Sequence, residues 1–343
     1  MKKLVLFVSS CVLLVACHNR SSTPDVSNIK VDVKVERFDK DFFNIDSNNV
    51  LPGLNQVHQR YPFLTNIFLK NILGLDSANT LAGVKLFLHL NRAIYDTANL
   101  IFRSTDAIRS QFQKAFQYVK YYFPEYKTPN LVTVVGPIDA LARTSNGYTP
   151  DFLGPDFLGI SLQFYLGKQF SIYNQSFFVD NVAPGYRSRR FSKEYIIADG
   201  MQLITDDLFP DKSGGKSLVD QMIEKGKQWY LLDQFLPTTA DSVKTGYTQE
   251  QLDWCKANEG LIWSYLAKNE DLNSINPATI QTYIGEGPFT QGFSQEFSPG
   301  NIGQWIGWQI VKKFADKNPS MKPADVMTTD ARKILEEAKY KPK

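Results

Sequence analysis

The 343 residues include 38 basic and 35 acidic side chains, with 21% of all residues charged and 43% hydrophobic. That balance excludes low-complexity disorder, collagen and coiled coil, each of which needs a strong compositional bias. A formal net charge of +3, with no stripe rich in Lys and Arg, argues against a nucleic-acid partner. Length alone admits one large domain or two average ones.

Lys2 and Lys3 precede an apolar run from Leu4 to Ala16, and residues 1–16 read as a signal peptide. As a helix the 13 apolar residues would reach only ~20 Å against the ~30 Å of a hydrocarbon core, too short for a permanent span. Leu14-Val15-Ala16-Cys17 resembles the lipobox of bacterial lipoproteins, in which the cysteine is lipidated and becomes the new N-terminus. Cys17 is therefore the expected lipidation site, and several acyl chains on one residue anchor a protein stably. Removing the leader leaves 36 basic against 35 acidic residues, a nearly neutral mature chain. Residues 17–28 are polar and aperiodic and read as a tether. The tether lacks an acidic cluster after the cysteine, which points to a domain facing the periplasm.

Val31 to Glu36 alternates apolar and polar and predicts a strand with one wet face. Apolar spacings of three and four then predict helices over Val50 to Gln59, Pro62 to Leu73, Thr80 to Asn91 and Ser104 to Phe123. Leu131 to Val135 is a β-branched run, and Phe157 to Phe164 could supply another strand after a stretch punctuated by Gly and Pro. Helix returns at Lys193 to Leu208, Ser217 to Phe235, Thr248 to Lys268, Pro277 to Ile284, Asn301 to Lys317 and Thr329 to Lys339. No linker or repeat divides the chain beyond the tether. The expectation is one domain over residues 29–343, α+β and mostly α-helical, with a small β-sheet beside a helical body.

The spacing of reactive residues excludes several chemistries. His18 lies in the tether, and His58 and His89 fall in separate helices, so His-Glu-x-x-His cannot be written anywhere. No metal or cofactor is expected. Ser213-Gly214-Gly215-Lys216-Ser217 lacks the strand and first glycine of a phosphate-binding loop, and reads as a loop between helices with Ser217 as N-cap. Gly292-Phe293-Ser294-Gln295-Glu296 lacks the second glycine of a nucleophile elbow. Cys255, the only cysteine of the body, has no disulfide partner there and reads as a buried apolar residue on the helix carrying Trp254 and Glu259.

A series of segments spans the chain in one order: Glu36-Arg37-Phe38-Asp39, Tyr61-Pro62-Phe63, Arg189-Arg190-Phe191, Met222 to Lys227, Gly246-Tyr247-Thr248, Asn258-Glu259, Gly287-Pro288-Phe289-Thr290, and Ser298 to Val311. Together with the lipobox, the series resembles the gliding motility lipoprotein GldB family of the Bacteroidota. The resemblance implies a lipid-anchored cell-envelope protein of the gliding apparatus, with partners among gliding or secretion-apparatus proteins and no catalytic activity. The order of elements is also distantly similar to zincin-type metallopeptidases. Around Ala198-Asp199-Gly200-Met201-Gln202-Leu203 both histidines of their motif are missing, and Lys225-Gly226 stands where a Glu-Gly pair would be. A lysine there would repel Zn²⁺, so such a fold would be a degenerate one. The alternative function is a zincin-like envelope hydrolase or a peptide-binding pseudo-peptidase. The residues expected in a groove or at a partner are Arg189, Arg190, Tyr247, Glu259, Trp305 and Trp308.

Overall fold

The computed structural model describes residues 23–144, 147–269 and 272–342. Cys17 and the leader lie outside them. Val26, inside the stretch read as tether, is fully buried, and Ile29 N donates to Val26 O at 3.0 Å, so the packed body begins before residue 29.

Of the expected first strand only Val35–Glu36 (β1) pairs, although Val33 is buried. Helices Phe38–Phe43 (α1), Val50–Arg60 (α2), Pro62–Ile67 (α3), Thr80–Leu90 (α4), Arg92–Ile101 (α5) and Asp106–Tyr122 (α6) follow. Helix α3 runs into a π turn over Phe68–Ile72, which widens the last stretch of what reads in sequence as one helix. Phenylalanines hold this half together. Phe42 meets Phe68 edge-on at 4.8 Å, and Phe43 stacks on Tyr95 at 4.3 Å. The first turn of α1 is fixed by Asp39, whose carboxylate accepts from Arg37 Nε (2.9 Å), Arg37 Nη2 (2.6 Å) and Thr133 Oγ1 (2.5 Å).

The strands Asn130–Val134 (β2), Ala142–Thr144 (β3), Gly147–Thr149 (β4), Phe152–Leu153 (β5) and Phe157–Ser161 (β6) form two sheets. In the larger the order is β1-β2-β6-β5, with β1, β2 and β6 parallel and β5 antiparallel on the edge. Leu131 pairs with Leu158 and Thr133 with Ile160. All of β6, and β2 from Leu131 on, are buried on both faces, which explains why these runs are apolar without alternation. The second sheet is the antiparallel β3–β4 hairpin. Strand β6 ends at Ser161, and Leu162–Phe164 turns as 3₁₀ helix instead of continuing the strand.

Helices Ser176–Asn181 (α7), Gly185–Ser188 (α8), Ile196–Leu208 (α9), Leu218–Phe235 (α10), Asp241–Thr245 (α11), Gln249–Ala257 (α12), Glu259–Asn269 (α13), Pro277–Ile284 (α14), Ile302–Lys317 (α15), Pro323–Thr328 (α16) and Ala331–Ala338 (α17) complete the body. Ser217 caps α10, its side chain accepting from Asp220 N, and Thr248 with Gln251 closes a capping box on α12. The single helix expected over Thr248 to Lys268 is two, broken at Asn258, whose side chain returns to Trp254 O at 2.8 Å. Cys255 is buried on α12, while Glu259 starts α13 rather than sharing its helix.

Helices α10 and α15 form the central pair, and two glycines set their separation. A Cβ on Gly307 would lie 1.7 Å from Met222 O, and one on Gly226 2.2 Å from the carbonyl carbon of Gly307. The backbones therefore touch. No helix among the described residues is long and apolar enough to cross a membrane.

Candidate functional site

A cavity of about 710 Å³ opens where the turn after α8, the β3–β4 hairpin, α9, α10, the α11–α12 junction and the N-terminus of α15 converge. Four arginines, two lysines, three aspartates and one glutamate line it among the described residues, with no histidine. Most of this charge is paired inside the wall. Arg187 donates to Glu286 through Nε (2.9 Å) and Nη2 (2.6 Å) and lies 4.7 Å from the centre of the Tyr148 ring. Lys225 Nζ meets Asp211 Oδ2 at 2.7 Å, both side chains being buried. Burial pushes the Asp211 carboxyl up, but the Lys225 ammonium and the Ser213 donors outweigh it and hold the carboxyl below its ordinary range. Lys244 is paired to Asp233 behind the wall.

Asp151, Tyr165 and Asp199 form a second polar unit. Tyr165 Oη lies 2.8 Å from Asp151 Oδ2 and 3.1 Å from Asp199 Oδ2, and Ser161 N donates to Asp151 Oδ1 at 3.0 Å. One hydroxyl proton cannot serve two carboxylates at once. Burial first, and then the charge of Asp199, push the Asp151 carboxyl well above its ordinary range. Burial raises Asp199 too, against Arg190 and the Tyr165 hydroxyl. Asp151 is sealed, whereas Asp199 on α9 lines the cavity.

Arg189 and Arg190 follow α8 directly, where a succession of turn hydrogen bonds and the buried Phe191 fix the backbone. Arg189 Nη2 donates to Gly246 O at 2.9 Å and Gln251 Oε1 at 3.0 Å. Tyr247 lines the same wall and donates to Gly300 O at 3.0 Å, pinning the loop that leads into α15. Asn301, in the left-handed region at φ 47°, opens α15 without a side-chain cap, so that the helix N-terminus borders the cavity.

Arg189, Arg190 and Tyr247 are thus brought together, and Glu259, Trp305 and Trp308 are not. Trp305 is packed in the core at 1% exposure. Trp308 is buried with its indole N–H on Asp233 Oδ2 at 2.8 Å and Lys312 over its ring at 3.7 Å. Glu259 accepts from Tyr340 Oη at 2.6 Å, tying α13 to the chain end. Asp199 and Gln202, from the stretch compared with the zincin motif, line the cavity together with Lys225. The sequence reading missed Arg187–Glu286 and the Asp151–Tyr165–Asp199 unit. Three arginines within four residues were the signal for the first, and no local pattern announces the second. Among the described residues, no group of three or more His, Cys, Asp or Glu is placed to hold a metal ion.

The family model described as gliding motility protein GldB matches residues 19–342. The chain belongs to that family. The match covers the whole described body, the residues that line the cavity included. Neither the curated proteins nor the solved structures include a significant match.

Proposed function

We propose that this GldB-family chain is a lipid-anchored, non-enzymatic component of the gliding apparatus in the cell envelope. Cys17 carries the anchor, the domain faces the periplasm, and the polar cavity receives a segment of another gliding or secretion-apparatus protein. The family match over residues 19–342 is the observation that carries the reading. The lipobox supports the anchor, and the paired, preformed character of the cavity wall supports binding.

Deletion of the gene is expected to abolish surface spreading, with wild-type complementation restoring it. Normal gliding without the protein would contradict the reading. A Cys17→Ala copy is expected to leave the membrane fraction and to lose function.

The hydrolase alternative is favoured only by position, since Asp199, Gln202 and Lys225 share one cavity. It weighs less because the wall offers no imidazole and Lys225 is committed to Asp211. Stoichiometric zinc in the purified protein, with activity on peptides, would reverse that order.

A further inference from the structure

The cavity wall is electrostatically unfinished at one point. The Arg190 guanidinium donates no hydrogen bond among the described residues, and the carboxylate oxygen within ion-pair distance of it, Glu286 Oε1, is 3.8 Å away and already held by Arg187. Arg189 has no carboxylate within ion-pair distance among the described residues. Its Nη2 is used twice by Gly246 and Gln251, and its Nε and Nη1 find no acceptor among the described residues. Burial, and then the adjacent Arg190 charge, press against the charged form of Arg189. Two neighbouring guanidiniums that repel each other, with free donor edges, are held in place. Arg190 lies over Gly246, where any Cβ would come within 2.5 Å of its Nη1. The N-terminus of the 16-residue α15 borders the same space and adds its partial positive charge.

We propose that the Arg189–Arg190 end of the cavity binds a carboxylate carried by an acidic peptide segment of a partner protein. The proposal rests on the partner-binding reading above and names the chemistry that the partner must present. A planar guanidinium fork matches a carboxylate in two parallel N–H···O bonds. The rest of the wall suits a peptide better than a phosphate: among the described residues Gln281 and the amide oxygen of Gln202 are open to pair with a backbone, while the Asp199 and Asp206 carboxyls on the same wall disfavour a dianion.

The test uses the full-length protein purified in detergent, titrated with acetyl-Gly-Gly-Glu-amide, acetyl-Gly-Gly-Gln-amide and inorganic phosphate. Trp229, which lines the cavity, gives a fluorescence signal that ligand-observed NMR can check. The Glu peptide is expected to bind at least about tenfold more tightly than the Gln peptide, and Arg189→Gln/Arg190→Gln to erase that difference. Arg103→Gln, an exposed residue elsewhere, is expected to change nothing. Retained melting temperature separates loss of the site from loss of the fold. Equal binding of both peptides, tighter binding of phosphate, no binding of any probe, or an equal loss in Arg103→Gln each overturns the proposal. The two readings fail separately. A double variant that loses the Glu peptide yet supports gliding removes the cavity from motility but leaves its chemistry intact. A deletion strain that cannot glide, beside a protein that binds no probe, does the reverse.

Discussion

Asp151 and Asp199 share one tyrosine hydroxyl in a buried setting, and this has a consequence for stability. Because the Asp151 carboxyl is raised in the folded state, the folded protein retains a proton that the unfolded chain gives up near the ordinary carboxylate value of about 3.9. The stabilisation is complete below that value and is lost as pH rises through the raised folded one. Melting temperature should therefore decline from mildly acidic toward neutral and alkaline pH. Asp151→Asn should weaken the decline, since Asn can still accept from Ser161 N and can donate to Tyr165 Oη, leaving that hydroxyl to donate to Asp199. An unchanged slope in that variant would contradict the assignment. At Lys225 and Asp211 the expected effect is a charge imbalance. Lys225→Met alone leaves a buried carboxylate and should cost about 3–5 kcal/mol, whereas adding Asp211→Asn should recover much of it. Denaturant unfolding of the three proteins measures this.

At the scale of elements, the crossing of α10 and α15 depends on two glycines meeting backbone rather than on interlocked side chains. Alanine favours a helix by up to about 1 kcal/mol over glycine. The atoms that a new methyl would strike at Gly307 are main-chain atoms of Met222 and Ile223, which cannot rotate aside. Gly307→Ala should therefore destabilise, by about 1–3 kcal/mol, and shift the wall of the cavity that α10 and α15 share. A melting temperature equal to wild type would show that the crossing is looser than described. The periodicity that made α2, α6, α10, α14 and α15 legible in sequence is the imprint of one-sided or complete burial over several turns. Helix α1, with six residues, is too short to show a period, and α5 follows α4 after a single residue. Pairing across the sheet and the break at Asn258 depend on distant contacts that no window of sequence contains.

At the scale of the molecule, the proposed function joins lipobox, family membership and cavity into an anchored receptor for a peptide segment. Of the cavity, Arg189, Arg190 and Tyr247 were legible through the motif series. Glu286, Asp151 and Tyr165 were not, because each matters only through a neighbour many residues away. Trp305 and Trp308 show the opposite case: prominent in sequence, they are large side chains filling the core around α15. The most direct test compares single-cell gliding speed in a deletion strain carrying either Arg103→Gln or Arg189→Gln/Arg190→Gln at wild-type protein levels in the membrane fraction. If the arginine end of the cavity holds the partner, Arg103→Gln cells glide like wild type and the double-arginine cells do not glide. Gliding in the double-arginine cells, or arrest in the Arg103→Gln cells, contradicts the account.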